Sequence, residues 1–338
     1  MIRRLITPLI SPVSALAVAF GIAALIVLAS GGNPVEAFSA MFMGAFGSLS
    51  ACGETIVKAI PLGLAGLAVA LGLRCRLFNI GAEGQLLMGG LAAAYVGYAL
   101  RLPGLIHIPV CLVAGALGGA VWAFLPGYLK AKRGVHEVIT TIMLNYIAFY
   151  LSHYLVSGCL ADRTSMAPQT PEIHQTAVLP SIGSAHWGIL VAVLAVLGFA
   201  FLINKTVLGY EIRSVGLGPE ASLAAGINLV VITILTMAVS GALAGIAGAV
   251  EVMGVHHRFY DQFSPGYGFD SIAVALLGNN SALGTSISAL LFGALRNGSV
   301  SMQLVTETPK EVVTIIQAVV ILVAGARFLK RHVQTPPT

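Results

Sequence analysis

Three polar residues stand among glycines between two apolar stretches, and their side chains could bind a solute or ionise. Asn79, Glu83 and Gln85 lie in the sequence N-I-G-A-E-G-Q, which begins two residues after an R-C-R tripeptide. Polar and charged groups are costly in hydrocarbon, so within an apolar chain they favour a functional role. Gly81 and Gly84 permit backbone bends, and a broken helix is tolerated at membrane depth only against protein or a water-filled cavity. The stretch is predicted to turn the chain beside a solute path.

The composition predicts that lipid surrounds most of the chain. The chain has 338 residues, of which 57% are hydrophobic and only 9% are charged, and its mean hydropathy is +0.92. Soluble domains carry about 25% charged residues. We therefore predict an all-α integral membrane protein, a polytopic helical bundle of about ten spans (8–10) with broken helices. Residues 1–338 form a single transmembrane domain in this prediction.

Basic residues between the apolar runs set the predicted orientation. The net charge of +5 fits cytoplasmic loops under the positive-inside rule better than nucleic-acid binding. Both termini and the segment 204–228 are expected in the cytoplasm, and 157–187 is expected as an external loop. Residues 35–50 are expected as an external interfacial helix. Spans are predicted at about 12–30, 56–73, 106–125, 138–156, 188–203, 229–253 and 312–328, with another from the N-I-G-A-E-G-Q stretch to about residue 100.

A second broken stretch lies near the carboxyl end. G-F-D-S-I-A-V, which includes Phe269 and Asp270, opens an apolar run that G-N-N-S interrupts, and two short helices around a bend are predicted there. The two broken stretches would enter from opposite sides, as an inverted repeat produces, with a site between them. Two unrelated tight turns remain the alternative. Arg296 fits poorly on the outer side in this topology.

Each polar candidate also has a structural interpretation. Glu83 lines the path or pairs with one of the two arginines before it, and the pairing is favoured because they are close in sequence. Asn79 and Gln85 bind solute or cap the broken helix. Asn145 lies in a long apolar helix, where hydrogen bonding between helices is the simpler role. Asp270 beside Phe269 is the better candidate for a path-lining group.

The segment 204–228 predicts two short amphipathic helices that dock onto a partner. The first carries Glu211 and Arg213, and Gly218-Pro219-Glu220 opens the second, with proline at the first helical position. Elsewhere no phosphate-binding G-x-x-x-x-G-K-[ST] loop occurs. No zinc-protease helix, nucleophile triad or C-x-x-C pair is apparent either, so no catalytic residue, metal or cofactor is predicted.

Three stretches carry a family resemblance: R-C-R-L-F-N-I-G-A-E-G-Q, H-E-V-I-T-T-I-M-L-N-Y-I and G-Y-G-F-D-S-I-A-V-A-L-L-G. They resemble permease subunits of bacterial ABC importers for nucleosides and simple sugars. The resemblance implies an inner-membrane importer subunit, with purine nucleosides favoured and ribose or another simple sugar as the alternative. It also implies a cytoplasmic ATPase, an extracytoplasmic binding protein and a second, related permease. Glu211, Arg213 and Glu220 would then lie in the segment that contacts the ATPase.

Two other classes stay open from the residues alone. An ion-coupled secondary transporter would use membrane carboxylates as proton relays, and Glu83 and Asp270 are candidates for that role. An integral membrane enzyme would need a catalytic constellation, and none is apparent in the sequence. Co-purification with an ATPase distinguishes the importer from both.

Overall fold

Helices make up most of the chain in the computed structural model, which describes residues 17–29, 31–306, 312, 314, 315, 318 and 319. The helices in these residues are α1 (Ala17–Ala29), α2 (Pro34–Phe46), α3 (Leu49–Arg74), α4 (Ala82–Ala99), α5 (Gly104–Arg133), α6 (Glu137–Ser157), α7 (Gly188–Lys205), α8 (Val207–Leu217), α9 (Pro219–Ala224), α10 (Leu229–Glu251), α11 (Tyr267–Leu277) and α12 (Ala282–Thr306). A π-helical turn, Val252–His256, extends α10.

Five of the described helices are long and apolar enough to cross a membrane. They are α3, α5, α6, α7 and α10 with its π-helical turn, and α1 and α11 are shorter apolar helices. The prediction of an all-α membrane protein is confirmed at this level. The predicted span 312–328 lies almost wholly outside the described residues.

Helices α5 and α10 pack closely through glycines. A Cβ atom on Gly245 would lie only 3.0 Å from the Cα atom of Gly119, and Gly115 and Gly241 face the opposite backbone in the same way. Small residues at four-residue spacing let helix backbones approach closely in a membrane. Helix α4 packs against both helices of this seam.

Helix α12 packs against α3 and α2 and differs from the prediction. The bend at G-N-N-S is present, and Asn279 and Asn280 take positive φ angles of 52° and 53° there. The helix that follows is not short, because α12 runs for 25 residues. Asn297 does not interrupt it, since its buried amide Nδ2 donates to the carbonyl oxygens of Gly44 and Ala51.

The predicted external loop has its own structure. It contains a 3₁₀ turn (Gln175–Ala177) and a two-stranded hairpin, β1 (Ser181–Ile182) and β2 (Ala185–His186). The backbone N–H groups of Thr170 and Ile173 donate to the carbonyl oxygens of Phe259 and His257. These bonds hold the loop against the segment that leads from α10 to α11. All four cysteines of the chain are free.

Candidate functional site

The break between α3 and α4 is held by a pair of amides. Asn79 Nδ2 donates to Gln85 Oε1 at 2.9 Å, and Gln85 Nε2 donates back to Asn79 Oδ1 at 3.0 Å. The same Asn79 oxygen accepts from the Gly81 N–H group, and Nδ2 also donates to the Ser240 hydroxyl of α10. Both amides are fully buried. Asn79 thus uses its whole hydrogen-bonding capacity on protein groups, and Ser240 is a partner that the sequence did not reveal.

Asn145 of α6 fixes the other side of the break. Its Nδ2 donates to the Ile80 carbonyl oxygen at 2.9 Å, and its Oδ1 accepts from the Gly84 N–H group at 2.8 Å. Backbone groups freed by a helix break need partners when water is absent. The Asn145 amide therefore satisfies one backbone donor and one backbone acceptor at the start of α4. This is the structural role, hydrogen bonding to another element, that was the simpler of its two interpretations.

Glu83 joins the two broken stretches. Its side chain is completely buried, and Oε2 accepts a 2.6 Å hydrogen bond from the Gly268 N–H group in the first turn of α11. Glu83 itself lies in the first turn of α4. A Cβ atom on Gly268 would overlap the Glu83 backbone, so only glycine allows this approach. The carboxyl group lies at the N-terminal ends of both helices, whose dipoles favour negative charge there, whereas its complete burial opposes ionisation.

The expected pairing of Glu83 with a neighbouring arginine is wrong. Arg74 Nε donates to the Asn280 carbonyl oxygen, and Arg76 Nη2 donates to the Leu217 carbonyl oxygen. The chain turns at Arg76, whose φ is 56°, and this turn carries Glu83 into the bundle while both guanidinium groups stay at the end of α3.

A second ionic group lies beside this junction. Asp270 Oδ2 is 3.2 Å from Arg296 Nη2 of α12, and the arginine also donates to the Pro265 carbonyl oxygen at 2.9 Å. The Arg296 guanidinium lies over the Tyr267 ring, 4.6 Å from its centroid. These contacts explain how an arginine is accommodated within α12, which the sequence alone left as a misfit.

The predicted path residues fall into two sets. Asn79, Gln85, Asn145 and Glu83 are buried and bonded to the break and to α11. Phe269 and Asp270 lie on the open side of α11, where the Phe269 residue is 43% exposed. The junction at Gly268 brings the two sets next to each other.

The segment between α7 and α10 forms the two predicted short helices, α8 and α9. Ile212 and Val215 of α8 are buried against the bundle, whereas Leu217 is 82% exposed and Tyr210 is 58% exposed. Glu211 and Arg213 are half-buried and Glu220 is exposed. Nonpolar side chains therefore extend outward from this pair of helices alongside the charged ones.

Within the described residues, no group of three or more His, Cys, Asp or Glu side chains could hold a metal ion.

The fold and this site define a polytopic membrane transport protein. Apolar helices long enough to cross lipid surround two helix breaks that meet in the interior. The chain belongs to the family described as "Branched-chain amino acid transport system / permease component", whose model matches residues 51–325. Members of this family are the membrane subunits of their transporters, so the chain is a permease and not an enzyme.

Several curated permeases are similar over nearly their whole length. The guanosine ABC transporter permease protein NupP of Bacillus subtilis is 42% identical, with 98% of this chain and 97% of that protein covered. The glucose ABC transporter permease protein TsgB13 of Haloferax volcanii is 38% identical, with 96% and 88% covered. The nucleoside ABC transporter permease protein NupB of Lactococcus lactis is 36% identical, with 97% and 92% covered.

Proposed function

We propose that the chain is the permease subunit of an ABC importer that takes up nucleosides, with purine nucleosides favoured. The observation that carries this proposal is the 42% identity to a guanosine permease over nearly the full length of both chains. A nucleoside permease is also among the relatives at 36% identity. A separate cytoplasmic ATPase supplies the energy.

A simple sugar is the second candidate solute. The specific observation in its favour is the 38% identity to a glucose permease over 96% of this chain. The ribose of a nucleoside and a simple sugar both offer ring hydroxyl groups. In this proposal, a few path residues that contact the rest of the solute therefore distinguish nucleosides from simple sugars.

The solute path, in this proposal, passes the junction of α4 and α11. Asn79, Gln85, Asn145 and Glu83 shape the wall, and Phe269 and Asp270 face the solute. The opposed N-termini of α4 and α11, which meet at Glu83 and Gly268, support an inverted repeat. Helices α1, α4 and α12, the short helix α11 and a last span at 312–328 would add five to the five long apolar helices, which makes ten.

The coupling surface is proposed on α8 and α9. Glu211, Arg213 and Glu220 contact the ATPase, and the exposed Leu217 side chain beside them enters an apolar groove on it. An amphipathic helix in a groove is a common way to seat one protein on another. The rigid attachment of α8 to the bundle through Ile212 would carry the ATPase motion to α3.

The remaining partners follow from the same proposal. The permease sits in the bacterial inner membrane with both termini in the cytoplasm, as the positive-inside rule favours. It pairs with a second, related permease in a heterodimer, and an extracytoplasmic binding protein delivers the solute to the outer face.

Uptake by reconstituted vesicles tests the proposal. Vesicles carrying this permease with its neighbouring ATPase, permease and binding protein should take up labelled guanosine or adenosine only with ATP. Excess unlabelled nucleoside should block this uptake, whereas excess ribose or glucose should not. Uptake driven by a proton gradient without ATP would overturn the importer assignment.

The coupling surface has a separate test. Glu211→Ala or Arg213→Ala should abolish transport-linked ATP hydrolysis, because each removes a side chain at the ATPase contact, while insertion and folding stay normal. Glu172→Ala, an exposed residue of the external loop, is the matched control and should hydrolyse ATP normally. Normal stimulated hydrolysis in both coupling variants would refute this assignment.

A further inference from the structure

A row of ionisable side chains crosses α3, α11 and α12 on one side of the bundle. It consists of Glu54 and Lys58 of α3, Asp270 of α11 and Arg296 of α12, and we call it the outer polar face. Glu54 lies one helical turn before Lys58 on α3. Lys58 bonds to Asn297, the residue next to Arg296, and Arg296 lies 3.2 Å from Asp270. The four charges are therefore contiguous, although they come from three separate helices.

The position of the Lys58 ammonium is fixed by a buried amide. Lys58 Nζ donates to Asn297 Oδ1 at 2.7 Å. The Asn297 Nδ2 donates to Gly44, Ala51 and Thr55, so the amide oxygen is directed toward the lysine. Lys58 forms no ion pair with any carboxylate in the described part of the chain.

These charges lie at membrane depth. Lys58 precedes Arg74, the end of α3, by sixteen residues, which is about 24 Å of helix. Arg296 follows Ala282, the start of α12, by fourteen residues, or about 21 Å. The two helix ends meet where Arg74 binds Asn280. In the proposed orientation these helix ends lie at the cytoplasmic surface of a hydrocarbon core about 30 Å thick, which places both cations in its outer half.

The outer polar face is partly open in this subunit. The side chains of Arg296 and Asp270 are 21% and 20% exposed, Lys58 is half-buried, and Phe269 beside them is exposed. Charged groups at membrane depth face a bundle interior or a water-filled cavity because lipid contact is costly. The two cations do not extend their side chains along the helix to reach the membrane surface. Lys58 is bonded to Asn297, and Arg296 is bonded to the Pro265 carbonyl oxygen and lies beside Asp270.

We propose that the outer polar face lines the outer half of the solute path, with Lys58 as a specificity-determining residue. The inference rests on the proposed function and extends it. The Lys58 ammonium, with two N–H groups left beyond its bond to Asn297, donates to hydroxyl or carbonyl oxygens of a nucleoside. Phe269 offers its ring to the base, and Asp270, held by Arg296, accepts from ribose hydroxyls or base N–H groups.

Cysteine labelling in the assembled transporter tests this proposal. In a background with Cys52→Ser and Cys159→Ser, Lys58→Cys should react with a membrane-impermeant thiol reagent added from outside, and guanosine should slow the reaction several-fold. Leu194→Cys is the matched control, because Leu194 is 58% exposed on an apolar face of α7 away from the outer polar face, and it should stay unreactive. An unreactive Lys58→Cys, or a reaction that no solute slows, would overturn the proposal.

The solute used for protection separates this inference from the proposed function. Protection by glucose or ribose but not by guanosine would overturn the nucleoside assignment and support the path assignment. In uptake assays, Lys58→Met should raise KM about tenfold, as expected for losing a hydrogen bond from a charged donor, and Lys58→Arg should recover most of this loss. An unchanged KM in Lys58→Met would refute the specificity role.

Discussion

Removing the Glu83 carboxylate should loosen the junction between α4 and α11. Its Oε2 accepts from the Gly268 N–H group at 2.6 Å in a fully buried position. A hydrogen bond to a charged group contributes about 1.5–3 kcal/mol, and a neutral one about 0.5–1.5 kcal/mol. Glu83→Gln keeps an acceptor oxygen but loses the charge, so it should destabilise the protein by about 1–2 kcal/mol.

Glu83→Ala should have the larger effect. It leaves the Gly268 N–H group buried without an acceptor, which costs about 1–3 kcal/mol, and it also removes packed side-chain atoms. We expect a total loss of about 3 kcal/mol. Thermal unfolding of the purified permease in detergent should therefore give the lowest melting temperature for Glu83→Ala and an intermediate one for Glu83→Gln.

Glu36 offers a matched control for this series. It lies in the first turn of α2, as Glu83 does in α4, but it is exposed to the surroundings. Charge at an exposed helix N-terminus contributes only about 0.3–1 kcal/mol. If Glu83→Ala melts at the same temperature as Glu36→Ala, the bridging role is refuted. If Glu83→Gln melts like the wild type while Glu83→Ala does not, the carboxyl group accepts the bond in its neutral form.

Two further predictions concern the break and the external hairpin. Asn145→Leu should destabilise the protein by about 2–4 kcal/mol, because the Ile80 carbonyl and the Gly84 N–H group both lose their partner, and thermal unfolding in detergent measures it; a melting temperature equal to the wild type would contradict this role. Burial lowers the pKa of His186 in the hairpin below its ordinary value, Glu251 opposes that shift, and His257 adds to it. The unfolded chain then binds the proton more readily, so stability should fall as pH drops below about 6.5, and the His186 Nδ1 bond to the Gly188 N–H group would be lost. The melting temperature should decrease between pH 7.5 and 5.5 in the wild type and less in His186→Gln; an equal decrease would contradict the prediction.

Local sequence patterns were enough to find where the helices break. Glycine and polar residues in N-I-G-A-E-G-Q indicated the start of α4, and the bend at G-N-N-S was also correct. The two short helices of the segment 204–228 followed from apolar spacing and from Pro219. The predicted short helix after the G-N-N-S bend was wrong, because α12 continues past Arg296 and Asn297, whose partners on other helices a single sequence does not show.

Pairing across the bundle could not be predicted in the same way. Sequence proximity favoured an arginine as the partner of Glu83, but the bond goes to Gly268, which is 185 residues away. Nothing in the sequence was a reason to select Lys58 as a path residue. Its proposed role depends on Asn297 and Arg296, which lie beside it only in the folded chain. A buried polar group takes whichever partner the packing brings near, and a single sequence records no distances between helices.

The sequence by itself determined that the chain is an integral membrane protein, that it is helical, and where its polar residues interrupt the apolar runs. Composition and periodicity suffice for this, since in hydrocarbon a backbone must satisfy its own hydrogen bonds within each segment. Only the tertiary structure decided which breaks meet, which charges neutralise one another and which face of the bundle stays polar. Those features depend on the approach of helix backbones through glycines such as Gly119, Gly245 and Gly268, and that approach is set by packing across the whole chain.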